Sequence, residues 1–255
     1  MSRLLTAALL ILCFALMGLA AAGPADHEAK VRYIGAGAEY QTPYYVFHTD
    51  QPGPIVLFEA GLHGDEIAGI YALDELMGEL RVKSGRLIVL PRMNMPACLK
   101  EVRLVNKDLN QVFPGRRDGE IYEWPLAREI FEMLGREKVE YVVTGHESRY
   151  LYNPVRKRGL AQTIIHVTQT PPAYAEKWVQ SINRRTAQEE TFSLLYYFPR
   201  ATGSTDNFVH TYSLQGGFCV ETWRGFDLGR RIEMHKIVLV EFLKTINMAF
   251  EMIAP

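Results

Sequence analysis

The stretch GPIVLFEAGLHGDEIAGIYALDELMGEL, residues 53–80, contains the change from strand to helix on which the fold prediction depends. Its apolar run PIVLFEA is bounded by glycine and proline, which is typical of a buried strand. Residues 65–80 then have apolar side chains at helical spacing and acidic residues in the first turn, so they predict a helix. Between the two elements, His63 and Glu66 lie three residues apart in a glycine-rich turn.

The same alternation of strand and helix continues along the chain. Strands are predicted in 30–36, 44–49, 85–94, 139–146, 162–169, 191–198 and 216–223; helices in 124–137, 173–185 and 228–252; and a loop in 95–117. This order indicates an α/β fold with a mixed, largely parallel central sheet and helices on both faces. In such sheets, ligands bind beyond the carboxyl ends of the strands.

Length and charge narrow the functional classes. The chain has 255 residues and a net charge of −1, which predicts one large domain with acids and bases interspersed. This balance argues against nucleic acid or an anionic membrane surface as the main partner.

The first 22 residues resemble a signal peptide. Arg3 precedes an apolar run that ends in small residues, and Ala20 and Ala22 form an A-x-A pattern. We therefore expect cleavage after Ala22, which leaves a single mature catalytic domain of residues 23–255. After cleavage we expect no stable membrane insertion and a periplasmic or secreted location. The alternative is an uncleaved anchor, because about 18 apolar residues can span a bilayer.

Two cysteines, Cys98 and Cys219, remain after the signal segment. They either form a disulfide in an oxidising compartment or remain as buried thiols, which we favour. Neither has the C-x-x-C spacing of a cysteine zinc site.

Three residues from two strand ends form a candidate metal site. His63 and Glu66, at i and i+3, share one face of a helical turn and offer a nitrogen and an oxygen ligand. The pair alone is a weak signal for a metal, because an acid at a helix start is common and favours the helix dipole. His146 ends the apolar strand VEYVVTGH and would complete a His-Glu-His set, the composition of hydrolytic zinc sites.

Polar residues on other segments are candidates for catalysis and substrate binding. Glu221 ends the strand GGFCVETW, where an acid is costly unless it is functional or pairs with Arg224. A carboxylate there could take a proton from water and pass it to a leaving amine. Arg103 is a candidate for stabilising an oxyanion. Asn110 is a candidate substrate contact, and Asp108 a group that orients these side chains.

An ordered set of motifs carries a resemblance to a known family. The motifs are GLHGDEIAG (61–69), NMPACLKEVR (94–103), NKDLNQVFPG (106–115), VVTGHES (142–148) and FCVETWRG (218–225). From about Pro54 to the C-terminal helix, the chain resembles the succinylglutamate desuccinylase/aspartoacylase family of the zinc carboxypeptidase superfamily, with its phosphorylase/hydrolase-like fold. The resemblance implies one zinc ion held by His63, Glu66 and His146, Glu221 as general base and acid, Arg103 as the carbonyl-polarising group and Asn110 as a substrate contact.

The chain departs from the family pattern at two positions. The pattern D-L-N-R becomes D-L-N-Q, so Gln111 replaces the arginine that binds the substrate carboxylate; a neutral amide cannot form a charged bidentate pair. Either an arginine in the loop after His146 (Arg149, Arg156 or Arg158) replaces it, or the substrate differs. The third ligand also lies in a T-G-H context instead of the usual D-L-H.

Two functional hypotheses from different classes follow. The first is a secreted zinc hydrolase that cleaves an amide next to a free carboxylate, as a carboxypeptidase acting on cell-wall peptides or as an N-acyl-amino-acid deacylase. The second is an inactive periplasmic binding protein that retains the fold, for which Gln111 is the main support. An esterase is not supported, because no G-x-S-x-G motif is present.

Overall fold

The computed structural model describes residues 29–253 apart from 157, 167, 169, 170 and 197–213. The predicted signal segment, residues 1–22, therefore lies outside the described residues. Among the residues that are described, no helix combines the length and apolar composition needed to cross a bilayer.

An eight-stranded mixed sheet forms the centre of the described structure. In spatial order its strands are β1 (Lys30–Ile34), β2 (Thr42–His48), β5 (Arg86–Leu90), β3 (Ile55–Glu59), β6 (Tyr141–Ser148), β9 (Gly216–Trp223), β7 (Thr163–His166) and β8 (Ser193–Tyr196). The run β5-β3-β6-β9 and the pair β7-β8 are parallel, whereas β1-β2, β2-β5 and β9-β7 are antiparallel. The predicted mixed, largely parallel sheet is confirmed.

Helices cover both faces of this sheet. They are α1 (Ile67–Glu79), α2 (Met95–Leu99), α3 (Glu123–Arg136), α4 (Tyr174–Asn183) and α5 (Leu228–Thr245). Successive strand residues point to opposite faces, so Phe58 and Val143 pack with α1, α4 and α5. Leu57 and Val142 pack with α3 on the other face. The first four residues of β3 and the first three of β6 are thus apolar because both faces of the sheet are buried there.

The structure corrects two of the predicted elements. The C-terminal helix ends at Thr245 instead of continuing to 252, because Asn247 adopts a left-handed conformation (φ 57°). The chain then forms β10 (Phe250–Met252), which pairs with β4 (Leu80–Val82) in a second, two-stranded sheet. A three-residue strand is too short to show a periodicity in sequence.

The segment 95–117, predicted as a loop, contains helix α2 and a 3₁₀ turn at Leu109–Gln111. The sequence carried a signal for α2 that the prediction missed: Asn94 caps it by accepting a hydrogen bond from the Ala97 amide (3.4 Å), and a proline lies in its first turn.

The two cysteines do not form a disulfide; both are half-buried thiols. The Cys98 thiol donates a hydrogen bond to the Gly61 carbonyl (3.3 Å), and burial raises the pKa of Cys98 to about 12. The preferred prediction of unpaired thiols therefore agrees with the structure, although neither is fully buried.

Gly64 is required by close packing between the turn after β3 and helix α2. A Cβ atom at Gly64 would lie 2.2 Å from the carbonyl carbon and oxygen of Ala97 and 2.4 Å from the Cys98 amide nitrogen. These are backbone atoms, so a rotamer change cannot relieve the contact. The turn that carries His63 and Glu66 is thereby held against α2.

We expect Gly64→Ala to lower the free energy of unfolding by about 1–3 kcal/mol, the usual cost of overpacking. Urea denaturation measures this change. The matched control is Gly78→Ala in α1, where a Cβ atom meets nothing within 4 Å; there alanine should stabilise the protein by up to about 1 kcal/mol. Equal effects of the two substitutions would contradict the packing argument.

Candidate active site

Three neighbouring parallel strands bring the predicted site residues to one edge of the sheet. Because β3, β6 and β9 are adjacent and parallel, their carboxyl ends meet there. His146 on β6 is the register partner of Glu221 on β9, and paired residues of parallel strands point to the same face. His63 follows β3 by four residues.

His63, Glu66 and His146 converge around the Glu66 carboxylate. The Nδ1 atom of His63 lies 2.8 Å from Oε1, and the Nδ1 atom of His146 lies 2.7 Å from Oε2. All three side chains are buried, and their candidate ligand atoms lie within 4.8 Å of one another. The sequence-predicted set is therefore brought together, and this arrangement could hold a metal ion.

The charges of this group are strongly coupled. Burial alone would raise the pKa of Glu66, but His146 and His63 together hold it well below its usual range. Burial lowers the pKa of His63, but hydrogen bonds with Asp108 and Glu66 outweigh burial and raise it. The carboxylate is therefore ionised and surrounded by imidazole nitrogens.

Glu221 lies beside this group without belonging to it. Its Oε2 atom is buried and has no hydrogen-bond partner among the described residues, while Oε1 accepts a long contact from the Cys219 thiol (3.9 Å). The alternative of a salt bridge with Arg224 is wrong, because Arg224 pairs with Asp65 (3.0 Å). Burial raises the pKa of Glu221 to about 7.

The segment after α2 supplies Arg103, Asp108 and Asn110. Arg103 donates to Oε1 of Glu66 (3.0 Å), and its side chain is 52% exposed. Asp108 accepts from the Asn110 amide (3.0 Å) and contacts Nε2 of His63 (3.2 Å), so it orients this ring. The Asn110 side-chain nitrogen lies 3.5 Å from His63 Nε2, and its Oδ1 atom is buried without a partner among the described residues.

The other predicted substrate-binding residues do not join the group. Gln111 is exposed at the end of the 3₁₀ turn, next to Asn110. Arg149 and Arg156 are exposed in the segment after β6. Within the described part of the chain, neither arginine forms an ion pair or a side-chain hydrogen bond with a site residue.

Helix α5 supports the site strands from the opposite face, which the sequence did not reveal. The next register pair after His146 and Glu221 is Glu147 with Thr222. Arg231 forms an ion pair with Glu147, and His235, one helical turn later, contacts the Thr222 hydroxyl (3.1 Å).

Glu147 also connects the candidate metal-binding group to α1. Its amide donates to Oε2 of Glu66 (3.1 Å), and its carboxylate accepts from the Ala68 amide (3.1 Å). Through these two contacts Glu147 holds the Glu66 carboxylate next to the start of α1. The i, i+4 spacing of Arg231 and His235 was visible in the sequence, but their strand partners were not.

The segment that supplies His63 and Glu66 matches the model of a known protein family. The family model described as succinylglutamate desuccinylase/aspartoacylase catalytic domain matches residues 52–144. This segment contains His63, Glu66, Arg103 and Asn110. The match confirms the resemblance predicted from the motifs.

Among individual proteins, the chain is 45% identical over 76 residues to the N-alpha-acetyl-L-2,4-diaminobutyric acid deacetylase of Halomonas elongata, covering 28% of this chain and 22% of the relative. It is 30% identical over 128 residues to the succinylglutamate desuccinylase of Pseudomonas putida, covering 44% and 36%. The alignments thus span well under half of these curated relatives.

The fold is similar to that of a solved D,L-carboxypeptidase, Csd4 from Helicobacter pylori, in its mDAP-bound form. The TM-score is 0.72 at 20% identity, covering 78% of this chain and 52% of that chain. At this identity the likeness establishes the fold, which confirms the predicted zinc carboxypeptidase-like architecture.

The raised pKa of Glu221 predicts a pH-dependent stability for the metal-free protein. Between pH 4.5 and about 7 the folded state binds more protons than the unfolded state, so this residue makes the free energy of unfolding fall as pH rises. Glu221→Gln cannot ionise. We therefore expect the free energy of unfolding of the variant, relative to that of wild type, to be roughly 1–3 kcal/mol higher at pH 8 than at pH 4.5. Urea denaturation in chelator measures the difference, and a pH-independent difference would contradict it.

The buried Arg231–Glu147 pair predicts a large loss of stability. Glu147→Gln leaves Arg231 without its partner charge, and we expect the free energy of unfolding to fall by up to about 3–5 kcal/mol. The control is Glu132→Gln, which removes a more exposed partner of Arg117 and Arg128 and should cost less than about 1 kcal/mol. Similar losses at both positions would show that α5 does not support the site in this way.

Proposed function

We propose that the chain is a zinc-dependent hydrolase that cleaves an amide bond next to a free carboxylate, as a carboxypeptidase or an N-acyl-amino-acid deacylase. The observation that carries the proposal is the convergence of His63, Glu66 and His146 beside a buried oxygen of Glu221, which has no hydrogen-bond partner among the described residues.

The residues fit a zinc ion. Two imidazole nitrogens and one carboxylate oxygen are the donor set of catalytic zinc sites with three protein ligands. The Glu66 carboxylate has a lowered pKa and is therefore available as a ligand. Bound zinc supplies Lewis acidity, which makes water more acidic and polarises a carbonyl group.

Glu221 is assigned the proton transfers. Its carboxylate lies on the strand next to His146 and faces the same side of the sheet. In the ionised form it takes a proton from the attacking water at a carboxylate oxygen. It then delivers this proton to the nitrogen of the leaving amine, so one residue serves as base and acid.

Two further side chains are assigned to the substrate. The Arg103 guanidinium is about half exposed and can stabilise negative charge that develops on the carbonyl oxygen. Asn110 has a buried amide oxygen without a partner in the described structure, and its amide group can hydrogen-bond a substrate carboxylate or carbonyl. Asp108 holds His63 and the Asn110 backbone in position.

The relatives support the reaction class but differ in substrate. Two are named as a deacetylase and a desuccinylase, and the structural neighbour as a D,L-carboxypeptidase. The signal-like segment 1–22 favours an exported enzyme with residues 23–255 as its catalytic domain. In the periplasm, stem peptides of the cell wall are a fitting substrate with a free carboxylate.

A second candidate function is an inactive periplasmic binding protein. Gln111 favours it, because this exposed amide replaces the charged group that would bind the substrate carboxylate. The complete His-Glu-His set and Glu221 favour the enzyme.

Metal content and turnover together test the enzyme proposal. Protein purified without chelator should contain one equivalent of zinc by mass spectrometry and should hydrolyse N-acyl amino acids or muropeptides. Glu221→Gln should retain zinc and lose about 10²–10⁴-fold in kcat, the usual contribution of general acid–base catalysis. His146→Ala should lose both zinc and activity.

Zinc well below one equivalent in the wild-type protein would contradict the metalloenzyme proposal. Loss of zinc in Glu221→Gln would show that Glu221 is a ligand instead of the base. Full zinc without turnover on any of these substrates would favour the binding protein.

A further inference from the structure

Apart from Lys157, which lies outside the described residues, the segment 149–161 that follows β6 forms a hairpin. The Asn153 amide donates to the Arg158 carbonyl (2.8 Å), and the Tyr152 amide donates to the Ala161 carbonyl (3.1 Å). The Asn153 side chain accepts from the amides of Val155 and Arg156 at the turn (3.0 and 2.9 Å). These bonds give the hairpin a defined shape from which its side chains project.

The hairpin concentrates positive charge and has no acidic residue of its own. Residues 149–161 contain three arginines and Lys157 but no aspartate or glutamate. Arg149, Arg156 and Arg158 are exposed, and none pairs with an acid among the described residues. By contrast, 12 of the 17 arginines among the described residues form ion pairs. The three hairpin arginines therefore make up most of the described arginines that form no ion pair.

Exposed apolar side chains lie among these charges. Tyr150 is 75% exposed, Leu151 45% and Val155 90%. A partner that contacts this surface would therefore meet guanidinium groups and apolar contacts together. An acidic peptide offers both carboxylates for the arginines and side chains for the apolar residues.

The hairpin begins close to the candidate active site. Arg149 follows His146 by three residues, and a strand rises about 3.3 Å per residue, so their Cα atoms lie about 10 Å apart. Arg156 and Arg158, at the turn, lie further along the hairpin. An extended chain such as a peptide can contact both the site and the turn, because each of its residues adds about 3.3–3.6 Å of reach.

We propose that the hairpin 149–161 binds the carboxylates of an acidic peptide whose terminal part is the substrate of the candidate active site. The second half of this statement depends on the proposed hydrolase function, whereas binding at the hairpin does not. In this proposal the exposed arginines bind parts of the peptide outside the active site. They do not replace the arginine that the family has at position 111.

Binding of a defined polyanion tests the proposal. Fluorescein-labelled poly-L-glutamate is titrated with the full chain, with and without zinc, and followed by fluorescence anisotropy at low and moderate salt. The test variant is Arg156→Gln/Arg158→Gln. The control, Arg117→Gln/Arg184→Gln, removes the same charge from exposed positions elsewhere.

We expect the hairpin variant to bind poly-L-glutamate about tenfold more weakly than wild type. This is the effect of losing two exposed ion pairs that are each near the upper end of their usual strength. The control should bind nearly as wild type does, and added salt should weaken the binding of all three. Equal weakening by both variants, or no binding of poly-L-glutamate at low salt, would overturn the proposal. Binding to phosphatidylglycerol vesicles without binding to poly-L-glutamate would identify a membrane contact instead and would also overturn it.

The outcomes separate this inference from the proposed function. A protein without zinc that binds poly-L-glutamate through the hairpin would contradict the hydrolase proposal alone. If the protein is an active zinc enzyme and the Arg156→Gln/Arg158→Gln variant binds poly-L-glutamate as tightly as wild type does, only the inference is contradicted.

Discussion

The buried carboxylate of Glu66 is the constraint on which the candidate site depends. An ionised carboxylate away from water is tolerated only when donors or cations surround it. Here the donors come from separate segments: His63 from the turn after β3, His146 and the Glu147 amide from β6, and Arg103 from the segment after α2. The charge of Glu66 therefore holds these segments together, and the same arrangement of nitrogen and oxygen atoms is suited to a cation.

The sheet and helix α5 keep this arrangement in register. His146 and Glu221 are partners on adjacent parallel strands, so their separation is set by the backbone. On the opposite face, Arg231 and His235 of α5 contact the next pair, Glu147 and Thr222. Burial lowers the pKa of His235 to about 3, so this ring is neutral and stabilises the strands through hydrogen bonding instead of charge.

The centre and the rim of the site differ in how far they follow the family pattern. His63, Glu66, His146 and Glu221 occupy the centre, where any cation or reacting group must be enclosed. The rim departs from the pattern, because Gln111 is neutral and exposed, while the arginines on the hairpin after β6 have no acidic partner among the described residues. Substrate choice depends on contacts at the rim, so this is where the chain can differ from the relatives whose reaction class it resembles.

The sequence by itself determined the elements whose signals are local. Apolar strands of five to eight residues, helices with regular apolar spacing and the polar residues near or just after strand ends were all readable, since burial and periodicity leave direct traces in the local sequence. The tertiary structure alone decided which polar residues meet. The pairing of Arg224 with Asp65, the contact of Arg231 with Glu147 and the end of α5 before β10 depend on partners far away in sequence. No local pattern encodes such partners, because they follow from strand order and helix packing.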